Sequence, residues 1–173
     1  MSNSIQIKCC QICKNKNLKS ILFLGYLPPV NQFNKLNYVA KEQPSYPAEL
    51  LFCKNCKLVQ LSTIVDQQIL FPPEYPYTSS TTKILRDNFA NLSKEVKRKF
   101  NFNSNDLVMD IGSNDGNLLS NFKSNFRVLG VTPEKIGKVA IKRGIDTIIR
   151  YFNLKTASLI LKKYGKAKII TAT

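Results

Sequence analysis

Leu107-Val-Met-Asp-Ile-Gly-Ser-Asn-Asp-Gly-Asn-Leu-Leu119 is the stretch on which the fold turns. Leu107 to Ile111 is a short, mostly apolar run of the length of a buried strand. Gly112 to Gly116 is a turn, and Asn117 to Lys123 opens a helix. A strand that passes through a tight turn into a helix is the first half of a βαβ unit, whose parallel strands bury both faces. The pattern repeats downstream. Strands are predicted over 127–131, 146–149 and 168–171, with helices over 135–143 and 153–163 between them. Upstream, Leu85, Phe89, Leu92, Val96 and Phe100 recur at helical spacing after the candidate N-caps Ser80, Thr81 and Thr82. Lys94, Lys97, Arg98 and Lys99 fall toward that helix's C-terminal end, where the dipole favours cations. The expectation is an α/β fold. The sequence ends directly after a strand, which reads as a piece of a longer protein.

The turn carries chemistry. Loops at the carboxyl end of the first strand of an open α/β sheet are where nucleotide-like ligands bind. Gly112 permits the tight turn, Gly116 a close approach of helix to strand, and Asn114 stands where many such loops have a middle glycine. No Gly-Lys-Ser/Thr follows, so this is not a phosphate-cradling Walker loop. Asp110 precedes the first glycine, so it is not Gly-x-Gly-x-x-Gly either. An acidic residue there suits a ligand with a cationic group, such as S-adenosylmethionine, with Asp110, Gly112, Ser113, Asn114, Asp115 and Gly116 as candidate binders. The competing reading is an ordinary strand-to-helix turn.

A second constellation lies near the N-terminus. Cys10-Gln-Ile-Cys13 and Cys53-Lys-Asn-Cys56 are two Cys-x-x-Cys knuckles, each able to present two thiolates to one ion. Lys8, Lys14, Lys54 and Lys57 flank them and favour ionised thiols. Neither knuckle sits in the strand-to-helix setting of a redox pair, so structural Zn2+ is the expected occupant of Cys10, Cys13, Cys53 and Cys56. Four thiolates leave no coordination position open. Cys9 is left over, because the second knuckle's spacing matches Cys10 rather than Cys9.

Composition narrows the function classes. The chain of 173 residues has 26 Lys+Arg against 11 Asp+Glu, a formal charge of +15, and no His. Without His there is no His general base, no Ser-His-Asp triad and no His metal ligand in this chain. The cations are 21 Lys and only 5 Arg, beside 17 Asn. Nucleic-acid surfaces draw more on the bidentate Arg fork, so compositional bias and anionic small substrates are favoured over nucleic acid. No apolar run spans a membrane and no secretory leader is evident, which predicts a soluble, cytoplasmic protein with no membrane partner. All five cysteines and seven of eight prolines fall before residue 81. The expected domains are therefore 1–80 and 81–173.

Taken in order, these stretches resemble a known family: zinc-binding-domain C-methyltransferases acting on nucleotide-linked deoxysugars. The resemblance runs through Cys10 to Cys13, Leu24-Gly25, Pro28-Pro-Val-Asn-Gln-Phe33 and Tyr46-Pro47. It continues through Leu50 to Cys56, Leu58-Val-Gln-Leu61, Leu70-Phe71, Tyr75-Pro-Tyr-Thr-Ser-Ser80, Asp110 to Gly116 and Arg143 to Phe152. It implies a Rossmann-like class I methyltransferase domain that binds S-adenosylmethionine and takes a nucleotide-sugar substrate. It also implies that Tyr75, Tyr77 and Ser79 lie near that substrate, although beside three prolines they equally suit a packed linker. Thr132 and Pro133 occupy the place at the end of the second strand where the family has an acidic residue for the cofactor ribose, with Glu134 two residues on. The family's catalytic side chains lie beyond the fourth strand, so no catalytic residue is expected in this chain and the isolated chain is expected to be inactive. The alternatives are a basic zinc-ribbon module on RNA and a non-catalytic methyltransferase remnant.

Overall fold

The computed structural model describes residues 4–30, 33, 36–37 and 42–173. Asn31 and Gln32, within one of the resembling stretches, lie outside the described residues. The chain divides into two compact units, Met1–Phe71 and Pro72–Thr173. Tyr77, Ser79 and Ser80, the end of the expected zinc domain and cofactor-proximal linker (1–80), hydrogen-bond to the turn after the first strand of the second unit.

The first unit contains strands β1 (Ile5–Gln6), β2 (Leu18–Leu27), β3 (Tyr46–Cys53), β4 (Val59–Leu61) and β5 (Thr63–Ile64), then the single helical turn α1 (Gln67–Leu70). Strands β2, β3 and β4 form one antiparallel sheet in that order, and β1 pairs with β5. Leu18 stands opposite Cys53 and Leu27 opposite Tyr46, with a register shift around Gly25, whose φ is 101°. The Asp66 carboxylate caps α1 by accepting the Gln68 amide at 2.8 Å. Cys10, Cys53 and Pro29 are the buried apolar residues among the described residues of this unit. Ile21 to Leu24 of β2 are all exposed, and so is Tyr26.

The second unit runs α2 (Lys83–Lys99), β6 (Leu107–Ile111), α3 (Asn117–Ser120), β7 (Arg127–Thr132), α4 (Gly137–Lys142), β8 (Asp146–Ile149), α5 (Leu154–Tyr164) and β9 (Ile169–Ala172). Its four strands are all parallel, in the order β8-β7-β6-β9. Side chains alternate along β6. Val108 joins Phe89 of α2, Leu118, Leu119 and Phe122 around α3, and Ala140 and Ile145 on one face. Leu107 and Met109 join Leu129, Val131 and Ile160 of α5 on the other. Helices α3 and α5 thus leave β6 and β8 toward opposite faces, and the sheet changes winding direction between the neighbours β6 and β9. Of the α2 stripe, Leu85, Phe89 and Val96 pack into this core, while Leu92 and Phe100 stay exposed. Thr82 is the N-cap of α2, without a side-chain cap bond.

The C-terminal carbonyls of α3, α4 and α5 each receive a cation from elsewhere. Lys97 donates to Asn121 O at 2.6 Å, Lys123 to Arg143 O at 2.6 Å and Arg127 to Tyr164 O at 3.1 Å. This is the charge placement that a helix dipole and unpaired terminal carbonyls favour. No helix among the described residues is long and apolar enough to cross a membrane.

Candidate functional site

The first site is the thiol cluster. The two knuckles fold alike. Cys10 accepts the Lys14 amide at 3.0 Å and Cys53 the Lys57 amide at 2.9 Å, and both lysines have positive φ, 60° and 65°. Each lysine then closes its own turn, Lys14 Nζ on Gln11 O at 2.8 Å and Lys57 Nζ on Lys54 O at 2.7 Å. The result brings Cys10, Cys13, Cys53 and Cys56 together with all four sulfurs within 4.8 Å of one another. Cys10 lies 3.5 Å from Cys56 and Cys13 3.6 Å from Cys53. A tetrahedral ion with Zn–S bonds of ~2.3 Å spaces its sulfurs by ~3.8 Å, so the donor set and spacing fit Zn2+. Cys9 is not in the cluster.

The thiols are electrostatically unequal. Cys13 is lowered to about 6, chiefly by a hydrogen bond from the Asn55 side chain and then by the Asn15 backbone. The Leu58 backbone pulls Cys56 down, but the neighbouring Cys10, burial and the other two thiols outweigh it, and Cys56 is pushed up to about 11. A divalent cation replaces the protons that such a cluster otherwise has to share.

The second site is the mouth of the parallel sheet, at the carboxyl ends of β6, β7 and β9. Asp110 is buried, and its carboxylate accepts the Thr171 hydroxyl at 2.7 Å. The Thr173 hydroxyl is near both its oxygens, at 3.4 and 3.3 Å. Burial raises its pKa despite those donors. Gly112 (φ 81°) turns the chain, and a Cβ on Gly116 (φ 78°) would stand 2.6 Å from Ile145 Cδ1 and 2.9 Å from Ala140 Cβ. Both glycines are needed where the sequence places them. Ser113 is buried with an unpartnered hydroxyl that packs against Gly130.

The side chains of Asn114 and Asp115, expected among the cofactor binders, hydrogen-bond to residues 77–80. Asn114, at φ 49°, accepts the Ser79 amide at 2.9 Å and donates to Tyr77 O at 3.0 Å. Asp115 is fully buried and accepts the hydroxyls of Ser79, at 2.6 Å, and Ser80. Arg143 pairs with it at 3.1 Å. Burial alone would raise the Asp115 carboxyl, but the two serines and Arg143 hold it below its ordinary value. Tyr75 and Tyr77 meet edge to face, 6.5 Å between centroids.

At the end of β7, Thr132 is fully buried and its hydroxyl donates to the buried carboxylate of Glu134, while Pro133 is half-buried. The Glu134 carboxylate enters none of the ion pairs among the described residues. Ser80, Asn117 and Arg143 are the site residues that sequence reasoning did not assign, whereas Glu134 stood beside Thr132 as a group able to compensate for the carboxylate missing at position 132. For Glu134 a signal existed: it is the sole acidic residue between Asp115 and Asp146.

Comparison with known proteins bears on the thiol cluster and on the chain as a whole. Residues 10–71 match a family described as "Putative zinc binding domain", a span that holds all four clustered cysteines. Over 163 residues the chain is 24% identical to the C-methyltransferase NovU of Streptomyces niveus, an alignment covering 93% of this chain and 39% of that protein. The chain therefore spans about two fifths of the length of that relative, in its N-terminal portion.

Proposed function

We propose that this chain is the zinc-bearing, cofactor-binding part of an S-adenosylmethionine-dependent C-methyltransferase of Rossmann-like, class I type, whose substrate is a nucleotide-linked keto-deoxysugar. One observation carries the cofactor reading. Two buried carboxylates, Asp110 and Glu134, stand at the carboxyl ends of adjacent parallel strands, outside every ion pair among the described residues. A buried carboxylate offers about four acceptor sites, and leaving them poorly met is costly. A ligand with a cationic group near Asp110 and hydroxyl donors near Glu134 would satisfy both, and S-adenosylmethionine has an ammonium, a sulfonium and a ribose diol. The unpartnered Ser113 hydroxyl adds a polar group at the same turn. The position, beside the winding switch of an open parallel sheet, is where such ligands bind.

On this reading the cofactor supplies a methyl group on a sulfonium, and this chain's own residues bind and orient it. Asp110 holds the cationic end, the Gly112–Gly116 turn lets backbone approach, and the Thr132–Glu134 pair receives the ribose hydroxyls in place of a single carboxylate at position 132. The four-cysteine ion holds the first unit's knuckles together and touches no substrate, because its coordination is full. Methylating a carbon beside a keto group needs a general base. Asp110, Asp115 and Glu134 are each engaged in binding or bracing, and the chain has no His. Methyl transfer by these 173 residues alone is therefore expected to be absent.

Calorimetric titration with S-adenosylhomocysteine tests the reading. One molecule is expected to bind per chain, and Asp110→Ala is expected to weaken it tenfold or more. A chain that keeps its zinc and its fold yet binds none overturns the cofactor assignment. Turnover of labelled S-adenosylmethionine with a keto-deoxysugar nucleotide, above the no-enzyme control, would overturn the expected inactivity.

A further inference from the structure

The second half of the glycine turn does something other than contact a ligand. Its side chains are committed to the segment from Pro73 to Ser80. Asn114 clamps that segment's backbone from both sides, at the Ser79 amide and the Tyr77 carbonyl, and the Asn117 side chain donates to Ser79 O at 3.1 Å. Asp115 takes both serine hydroxyls while Arg143 braces it. Arg86 of α2 adds a bond to Ser80 O at 2.6 Å. At its other end the segment is fixed to the loop after β7. The Lys135 amide donates to Pro73 O at 2.7 Å, and the Lys135 ammonium pairs with Glu74.

The two anchor points follow β6 and β7 by three residues each, so Pro73–Ser80 runs between the loops that present Asp110 and Glu134. Tyr75 and Tyr77 lie between the anchors. Three side chains spent on an irregular segment are hard to explain as packing alone, since that segment buries no large apolar side chain.

We propose that Asn114, Asp115 and Asn117 are positioning residues that hold Pro73–Ser80 as a strap across the carboxyl ends of β6 and β7, so that ordering the strap and binding the cofactor are coupled. The proposal rests on the cofactor reading above and adds to it a division of labour within one turn. Asp110, Gly112 and Ser113 face the ligand, while Asn114 to Asn117 face the strap. Coupling of this kind is reciprocal: whatever loosens the strap weakens the ligand by the same factor that the ligand tightens the strap.

Hydrogen exchange on the full chain, with and without S-adenosylhomocysteine, reads the coupling directly. The ligand is expected to slow exchange at residues 74–80 by tenfold or more. Asn114→Ala and the strap-side double change S79A/S80A are each expected to weaken ligand binding by tenfold or more. Asp115→Ala added to S79A/S80A is expected to weaken it little further, because both remove the same contacts. Lys135→Ala removes the exposed ion pair with Glu74 but keeps the amide bond to Pro73 O, and is expected to weaken binding twofold or less without loss of the fold. A purely structural role would lower thermal stability in these variants and leave affinity and strap exchange alone. Ile160→Val, in the opposite core face, is the control that does only that. Normal ligand affinity in Asn114→Ala and S79A/S80A, or strap exchange indifferent to ligand, overturns the strap while leaving the cofactor reading intact. A well-folded wild-type chain that binds no ligand removes both.

Discussion

The two units of this chain solve the stability problem by opposite means. In the first, the buried apolar residues among those described are two cysteines and one proline, and a ten-residue strand leaves most of its apolar side chains exposed. In the second, one sheet buries two separate apolar clusters, one on each face. A domain without an apolar core needs a cross-link, and a tetrathiolate ion is one whose binding energy adds directly to folding. The comparison teaches that cysteine placement and apolar periodicity are alternative routes to order, and this chain uses one in each half.

Metal removal should separate the halves most widely. Stripping zinc with a strong chelator is expected to cost the first unit ~10 kcal/mol or more of stabilisation and to abolish amide protection in β2, β3 and β4. Protection in β6 and β7 should persist. Loss of protection in both units together would show that the second leans on the metal after all. Metal analysis should find one zinc per chain, lost on Cys53→Ser.

The next effect is the mirror image. Phe122 is fully buried between β6 and the helices, and Phe122→Ala is expected to cost the second unit ~3–5 kcal/mol in denaturant unfolding. Its zinc content should be unchanged. Reduced zinc would break the comparison from the other side.

Two aspartates five positions apart sharpen it further, because burial acts on both and only one is compensated. Asp110 has its carboxyl raised, so its ionised form costs stability once pH climbs through the carboxylate range. Asp110→Asn is expected to stabilise the ligand-free chain by ~1 kcal/mol at neutral pH, with the gain vanishing in acid where both forms are neutral. Asp115 has its carboxyl lowered by Ser79, Ser80 and Arg143 against burial. Its contribution is present above the ordinary carboxylate range and is lost as pH falls through the lowered value, so Asp115→Asn should destabilise at neutral pH and little in acid. Melting curves of both variants across pH 3 to 7, an interval of roughly four units around these carboxylates, test the two signs. The smallest effect belongs to the knuckles. Lys57→Gly relieves a positive φ but removes the Nζ bond to Lys54 O, so zinc competition should report a change under ~1 kcal/mol.

Much of the second unit was legible before any coordinates. Strand 146–149 coincides with β8, and the predicted helix 153–163 is offset by one residue from α5, with Asn153 as its cap. These elements carry their own periodicity and caps, which are local. The first unit's long β2 was not legible, because Leu18-Lys-Ser-Ile-Leu-Phe-Leu-Gly-Tyr-Leu27 does not alternate and neither face is buried. Nor were the partners of the charges. Lys97, Lys123 and Arg127 look like a solvated basic surface in one dimension, and each caps a helix end 20 to 37 positions away.

The sequence alone determined the four-cysteine ion site, the strand-turn-helix at Leu107–Leu119 and the glycines that turn it. Each of these depends on residue type at a short spacing, and short spacings constrain backbone geometry directly. Only the tertiary structure decided that Asn114 and Asp115 hydrogen-bond to residues 77–80, and that Glu134 stands buried with Thr132 at the end of β7. It also decided that residues 72–80 belong with the sheet. Those assignments depend on which way a side chain points and on what a distant segment lays against it, and a turn's sequence leaves both free until the chain has folded.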